Sequence, residues 1–192
     1  MIVNVRGISG SGKTYAMRKI MDGFPQVTVR FKRQIAGLRS DREVGHRLDV
    51  GPRQAFVVGS YNKVMSGRCD SIKNMETLES LVTRHAQQGE DVLFEGIFVA
   101  GAHTRWIDLV RRNSEWDMRI IFLTTDYETC VERVKQRRLE RGNNRTWNMN
   151  NMLDFKARMV RQHAHFRRAG ISIYDLDVDS CVSTVRSWLL RP

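Results

Sequence analysis

Residues 7–14 read Gly-Ile-Ser-Gly-Ser-Gly-Lys-Thr and satisfy the spacing G-x-x-x-x-G-K-[ST]. Each residue type in that spacing has a physical task. Glycines allow the backbone N–H groups of Ser9, Gly10, Ser11 and Gly12 to wrap a phosphate, which a Cβ at the turning positions would prevent. Lys13 supplies a cation that reaches the β- and γ-phosphates of a nucleotide, and the Thr14 hydroxyl is a hard oxygen ligand suited to Mg²⁺. A helix beginning at this point adds its positive dipole end to the same anion. The chemistry is therefore nucleotide binding, with the fate of the phosphate decided elsewhere in the chain.

A second chemical stretch is "VVGSYNKVMSGRCDSI", residues 57–72. A loop with Gly59 and Gly67 carries Tyr61, Lys63 and Arg68, with Asp70 just ahead of a helix. Tyr61 can stack on a planar base, the two cations suit an anionic substrate, and Asp70 can accept a proton from a hydroxyl. Asp70 or Ser71 can equally serve as the N-cap of the helix that follows.

These residues need elements to hold them. "MIVNV" is a strand-like apolar run, and "KTYAMRKIMDGF" follows the loop as a helix with Ala16, Met17 and Ile20 inward and Gly23 as its stop. Residues 26–31 alternate as a strand and 55–59 form another, whereas 32–54 is rich in Arg and Gly, lacks a clean period and reads as a basic surface insertion. Asn74 to Gly89 predicts a helix with Leu78, Leu81, Val82 and His85 on one side. "DVLFEG" predicts a buried strand ending at Glu95, "TRWIDLVRR" a helix and "MRIIFLTTD" a core strand. Thr125 to Glu128 reads as a capping box that opens a helix running to about Arg141. A long helix at 151–168 follows, then a strand at 171–179 and a closing helix. On the long helix Arg158, Arg161, His165 and Arg168 form a basic stripe opposite Leu153, Ala157, Val160 and Ala164. Strands alternating with helices predict an α/β fold with a parallel sheet between helical layers, and a site at the C-terminal ends of the strands. At 192 residues the chain fits a single domain.

From "LFEG" onward the chain resembles the P-loop kinases of the nucleotide- and small-molecule-kinase group, on the loop at 7–14 and on "IIFLTTDYETCVERVKQRRLER" at 120–141. That resemblance implies a P-loop NTPase three-layer sandwich with a mostly parallel five-stranded sheet, ATP and Mg²⁺. It also implies an arginine-rich helical lid over about 133–150, in which Arg133, Arg137, Arg138 and Arg141 close over the transferring phosphoryl group. Arg133, Arg137 and Arg141 recur every four residues and share a helix face, although Glu128, Glu132 and Glu140 could pair such charges within the helix. Phosphoryl transfer depends chiefly on positioning and positive charge, which such arginines supply. In enzymes of this kind an acidic residue at the place of Glu95 either orients Mg²⁺ or takes the acceptor's proton, so Asp70 and Glu95 are both candidates for the base.

Charge narrows the acceptor. There are 32 Lys and Arg against 21 Asp and Glu, a net +11, more than nucleotide phosphates alone require and suited to a polyanion. The loop "GSYNKVMSGRCD" between this early phosphate loop and "FEG" is similar to phage-encoded kinases that phosphorylate the hydroxymethyl group of 5-hydroxymethyluridine in DNA. The implied partner is DNA containing a hydroxymethylated pyrimidine. A deoxynucleoside, nucleoside-monophosphate or small-metabolite kinase remains the alternative, and a DNA-binding ATPase is an alternative of another class. Three widely spaced cysteines predict reduced thiols rather than a disulfide framework or zinc site. The absence of a long apolar run predicts a cytoplasmic protein without a membrane partner, in the host cytoplasm if phage-encoded.

Overall fold

Apolar, β-branched runs become strands and amphipathic runs become helices in the predicted alternation. The computed structural model describes residues 1–191 except 36–37, 62–68, 70–71, 73, 97–101 and 144–149, and gives the backbone alone for the rest of 31–42. In chain order the elements are β1 (Ile2–Arg6), α1 (Lys13–Met21), β2 (Gln26–Ile35), β3 (Leu38–Asp49), β4 (Gln54–Val58), α2 (Met75–Gln87), β5 (Asp91–Glu95), α3 (His103–Arg112), β6 (Met118–Leu123), α4 (Tyr127–Glu140), α5 (Asn150–Arg168), β7 (Ser172–Leu176) and α6 (Val178–Leu189).

All strands join one sheet in the order β2-β3-β4-β5-β1-β6-β7. From β4 to β7 the pairs are parallel, with β1 central and buried at every position. Alternate residues divide between two helical layers, as the pleat requires. Val3, Val5, Leu93 and Ile121 pack with α1 and α6 through Met17, Ile20, Val185 and Trp188. Ile2, Val92, Phe94 and Ile120 pack on the other face with Leu78, Val82, Trp106 and Phe166 of α2, α3 and α5. The three cysteines are free and buried, and burial pushes the Cys181 thiol up to about 12.

Among the described residues the sheet thus has seven strands rather than five. Residues 26–31 form a strand as expected, but that strand runs on to Ile35, and the stretch expected as an irregular insertion, 32–54, holds the end of β2 and all of β3, which is antiparallel to both β2 and β4. Its period is masked because polar pairs replace apolar packing. The His46 Nε2 lies 3.0 Å from Glu43 Oε1, and Arg47 Nε lies 2.9 Å from Glu90 Oε1. A second correction concerns α5. Its packed side carries Met152, Gln162 and Phe166, while Leu153 and Val160 are 49% and 67% exposed. Gln162 faces inward because it satisfies a buried arginine of β1, described below.

Two buried histidines make stability depend on pH. His85 stacks on Phe56 at 3.5 Å and pairs with Glu90, and His46 lies 1% exposed under the β4 end. Burial holds both below the usual histidine value of 6.5, outweighing the neighbouring carboxylates Glu90 and Glu43. The unfolded chain therefore binds protons that the folded chain refuses as pH falls below about 6.5. The melting temperature is expected to be level above that pH and to fall as pH drops from 6.5 towards 5. A melting temperature that rises over that range contradicts it.

Candidate active site

The phosphate loop connects the buried end of β1 to α1. Gly10 and Gly12 take φ of 87° and 94°, a left-handed conformation that favours glycine. Space demands glycine as well. A Cβ on Gly10 would collide with the Cys130 carbonyl oxygen, and one on Gly12 would lie 2.8 Å from Val178 Cγ2. The loop is also held from outside, by Thr125 Oγ1 donating to Ser11 O at 2.9 Å and Arg133 Nη1 donating to Gly10 O at 3.3 Å.

The first turn of α1 has no side-chain cap, whereas Asn74, Asp126 and Asp177 cap α2, α4 and α6. An N-terminus left open behind such glycines is arranged for an anion to complete it. Lys13 is only 6% exposed and its Nζ donates to Gly7 O at 2.7 Å and Ile8 O at 2.9 Å, so the cation rests inside the loop. Thr14 Oγ1 donates to Glu95 Oε1 at 3.0 Å, and Glu95 is wholly buried at the end of β5. A hydroxyl and a carboxylate side by side, next to a phosphate cradle, form a hard-oxygen set that fits Mg²⁺, which keeps several waters and takes phosphate oxygens as further ligands.

Behind the loop lies a cation that sequence reasoning missed. Arg6 is fully buried at the end of β1, with Nε donating to Asn4 Oδ1 at 2.6 Å and Nη1 donating to Gln162 Oε1 at 3.0 Å. Its guanidinium also sits 4.5 Å over the Phe166 ring. Burial lowers its pKa to about 9, which still leaves it charged at neutral pH, one residue before the phosphate cradle. Nothing in the sequence marks it, because its partner Gln162 meets it only in the fold.

The sequence-predicted residues fall as follows. Ser9, Gly10, Ser11, Gly12, Lys13 and Thr14 form the loop, Glu95 meets Thr14, and Arg133 meets the loop carbonyl. Arg137 is half-buried on α4, Arg138 Nη2 donates to Asn143 Oδ1 at 3.5 Å, and Arg141 is exposed just past the helix. Tyr61 is 6% exposed and lies in the layer beside α1, its ring edge-on to His46 at 6.1 Å. Lys63, Arg68 and Asp70 lie outside the described residues, as do 144–149 of the expected lid. The cap of α4 is one residue later than expected. Asp126 accepts from Thr129 N, which holds its carboxyl below the usual range, because Thr125 is drawn instead to the phosphate loop.

A family model described as 5-hmdU DNA kinase matches residues 45–172 of this geometry. The chain belongs to the 5-hmdU DNA kinase family. Among 5-hmdU DNA kinases, that of Pseudomonas phage PaMx11 is 30% identical over 142 residues, covering 71% of this chain and 69% of the relative. The 5-hmdU DNA kinase 1 of Salmonella phage ViI is 30% identical over 138 residues, 69% of this chain and 57% of the relative. The 5-hmdU DNA kinase of Bacillus phage SP10 is 24% identical over 183 residues, 92% of this chain and 27% of the relative. The chain therefore spans little more than half the length of the second relative and about a quarter of the third. Among the described residues of this 5-hmdU DNA kinase family member, no helix is long and apolar enough to cross a membrane.

Proposed function

We propose that this chain transfers the terminal phosphoryl group of ATP to the 5-hydroxymethyl oxygen of 5-hydroxymethyluridine in DNA, on a P-loop NTPase framework. The observation that carries this reading is the contact between Thr14 and Glu95, which joins the phosphate cradle to the end of β5. Family membership supplies the acceptor.

In this reading the open turn of α1 and Lys13 hold the β- and γ-phosphates, and Arg133, already at the loop, adds charge as the phosphoryl group moves. Arg137, Arg138 and Arg141 form the rest of the lid. Thr14 and Glu95 would hold Mg²⁺, which when bound neutralises phosphate charge. Since Glu95 is engaged with Thr14, Asp70 is assigned as the base, and Tyr61, Lys63 and Arg68 belong to the acceptor side. The hydroxymethyl oxygen forms a bond to the γ-phosphorus, the bond from that phosphorus to the β–γ bridging oxygen breaks, ADP leaves, and the hydroxyl proton passes to Asp70. A base within a duplex must leave the stack to reach the phosphate, so the acceptor is a flipped nucleotide.

The test is γ-labelled ATP offered with a duplex containing 5-hydroxymethyluridine, the same duplex with thymine, and free nucleosides and nucleotides. Label is expected in the hydroxymethylated duplex, at a rate at least tenfold above the free nucleoside. Equal or faster labelling of the free nucleoside would make this a nucleoside kinase, and ATP hydrolysis without any labelled acceptor would make it a DNA-binding ATPase.

A further inference from the structure

β3 is longer than the strand it pairs with. Asp49 pairs with Gln54 at the start of β4 and Gly45 with Val58 at its end. Everything in β3 before Gly45 thus runs past the C-terminal end of β4. Because β4, β5 and β1 are parallel, this is the sheet edge that carries Glu95 and the phosphate loop. Beyond the sheet, β2 and β3 continue as a two-stranded ribbon of six pairs, from Arg30↔Glu43 to Ile35↔Leu38. Six pairs reach about 20 Å.

The ribbon leaves the sheet at a built joint. The register shifts between Val29 and Arg30, so that Val44 is an extra residue opposite them, a bulge that bends a ribbon and raises its twist. Gly59 N donates to Val44 O at 2.8 Å, fastening the bulge to the end of β4. Gly45 lets β3 lie against Phe56, whose ring a Cβ there would strike. One step further, Tyr61 N donates to His46 Nε2 at 3.2 Å and Tyr61 O accepts from Arg18 of α1 at 3.4 Å. The ribbon base is thereby bonded to the segment leading towards the acceptor side and, through it, to the helix that caps the phosphate.

Segments 30–35 and 38–43 carry five Lys and Arg against two carboxylates. A compact acceptor bound at the sheet edge would not need charge carried this far out. A polymer continuing outward from the site would run alongside it, and a two-stranded ribbon is a shape that duplex DNA accommodates. We propose that the β2–β3 ribbon is a duplex clamp that contacts the DNA backbone beside the target nucleotide. This rests on the reading of the site as a DNA kinase, and it lies before residue 45, where the family match begins.

The experiment is fluorescence anisotropy of labelled duplexes against salt, comparing the wild type with K32A/R33A/R39A/R42A and with R111A/R191A, a change to exposed cations elsewhere. Each phosphate contact contributes about 0.9 to the slope of log affinity against log salt. The ribbon variant is expected to lose about two units of slope and at least tenfold in affinity, equally for hydroxymethylated and thymine duplexes, with a wild-type melting temperature. R39K/R42K is expected to keep the slope. A ribbon variant with the wild-type slope, or with no greater loss than R111A/R191A, overturns the clamp. Binding is read without catalysis, so a chain that binds through the ribbon yet labels no hydroxymethyl group would instead overturn the proposed reaction.

Discussion

Lys13→Ala is expected to lower phosphoryl transfer by about a thousandfold, while the chain still folds. Removing one preorganised donor from a developing anion costs on the order of 10²–10³ in rate, and in the proposed reading this donor is also a full cation at the transferring group. The lysine is stored in place, because its ammonium is bonded to the carbonyls of Gly7 and Ile8 and its stem is buried. In the proposed reading a triphosphate would exchange those carbonyls for phosphate oxygens, a short movement of a flexible stem. Lys13→Arg should not restore the rate, since a rigid planar fork does not reproduce a compact ammonium seated between two carbonyls. The fold is expected to survive Lys13→Ala, since the loop is also fixed by Thr125 and Arg133. Labelling of the hydroxymethylated duplex together with thermal unfolding checks both halves. More than a tenth of wild-type transfer in a folded Lys13→Ala chain would remove the lysine from the mechanism.

The loop was legible because its chemistry is local: eight consecutive residues state both the turns and the ligand. The same holds for Gly23, where the chain takes positive φ just beyond α1, whereas the cap of α2 is Asn74 rather than Asp70 or Ser71. What sequence could not state was partnership across distance. Arg6 reads as a polar residue ending a strand until Gln162, 156 positions away, is placed against it. For that reason Gln162 occupies the packed side of α5, and the apparent stripe of Leu153 and Val160 pointed the wrong way. Thr125 looked like a cap because its competing partner, the Ser11 carbonyl, is remote in sequence. The extension of β2 and the whole of β3 were hidden for another reason: a period of two is visible only where one face is apolar, and there β3 uses Glu43, His46 and Arg47 in polar pairs.

Asp70→Asn and Glu95→Gln are expected to fail in different ways, and the difference assigns the two carboxylates. Glu95 is buried and accepts a hydrogen bond from the Thr14 hydroxyl, which in the proposed reading sets it on the metal side of the phosphate cradle. Its amide replacement keeps the size but loses the charge, so transfer should fall about a hundredfold or more and the Mg²⁺ concentration for half-maximal rate should rise. In the proposed reading Asp70→Asn removes the proton acceptor and leaves the charge of Glu95 in place. Its turnover should fall by more than about two decades, in the upper part of what a general base contributes, with the Mg²⁺ requirement unchanged. The pH–rate profile separates them further, because a base must be ionised to act. Asp70→Asn should abolish the acid limb of kcat, whereas Glu95→Gln should leave its shape. A mild effect at Asp70, joined to loss of the acid limb in Glu95→Gln, would reverse the assignment. In that case the carboxylate bonded to Thr14 would be the group that receives the acceptor's proton.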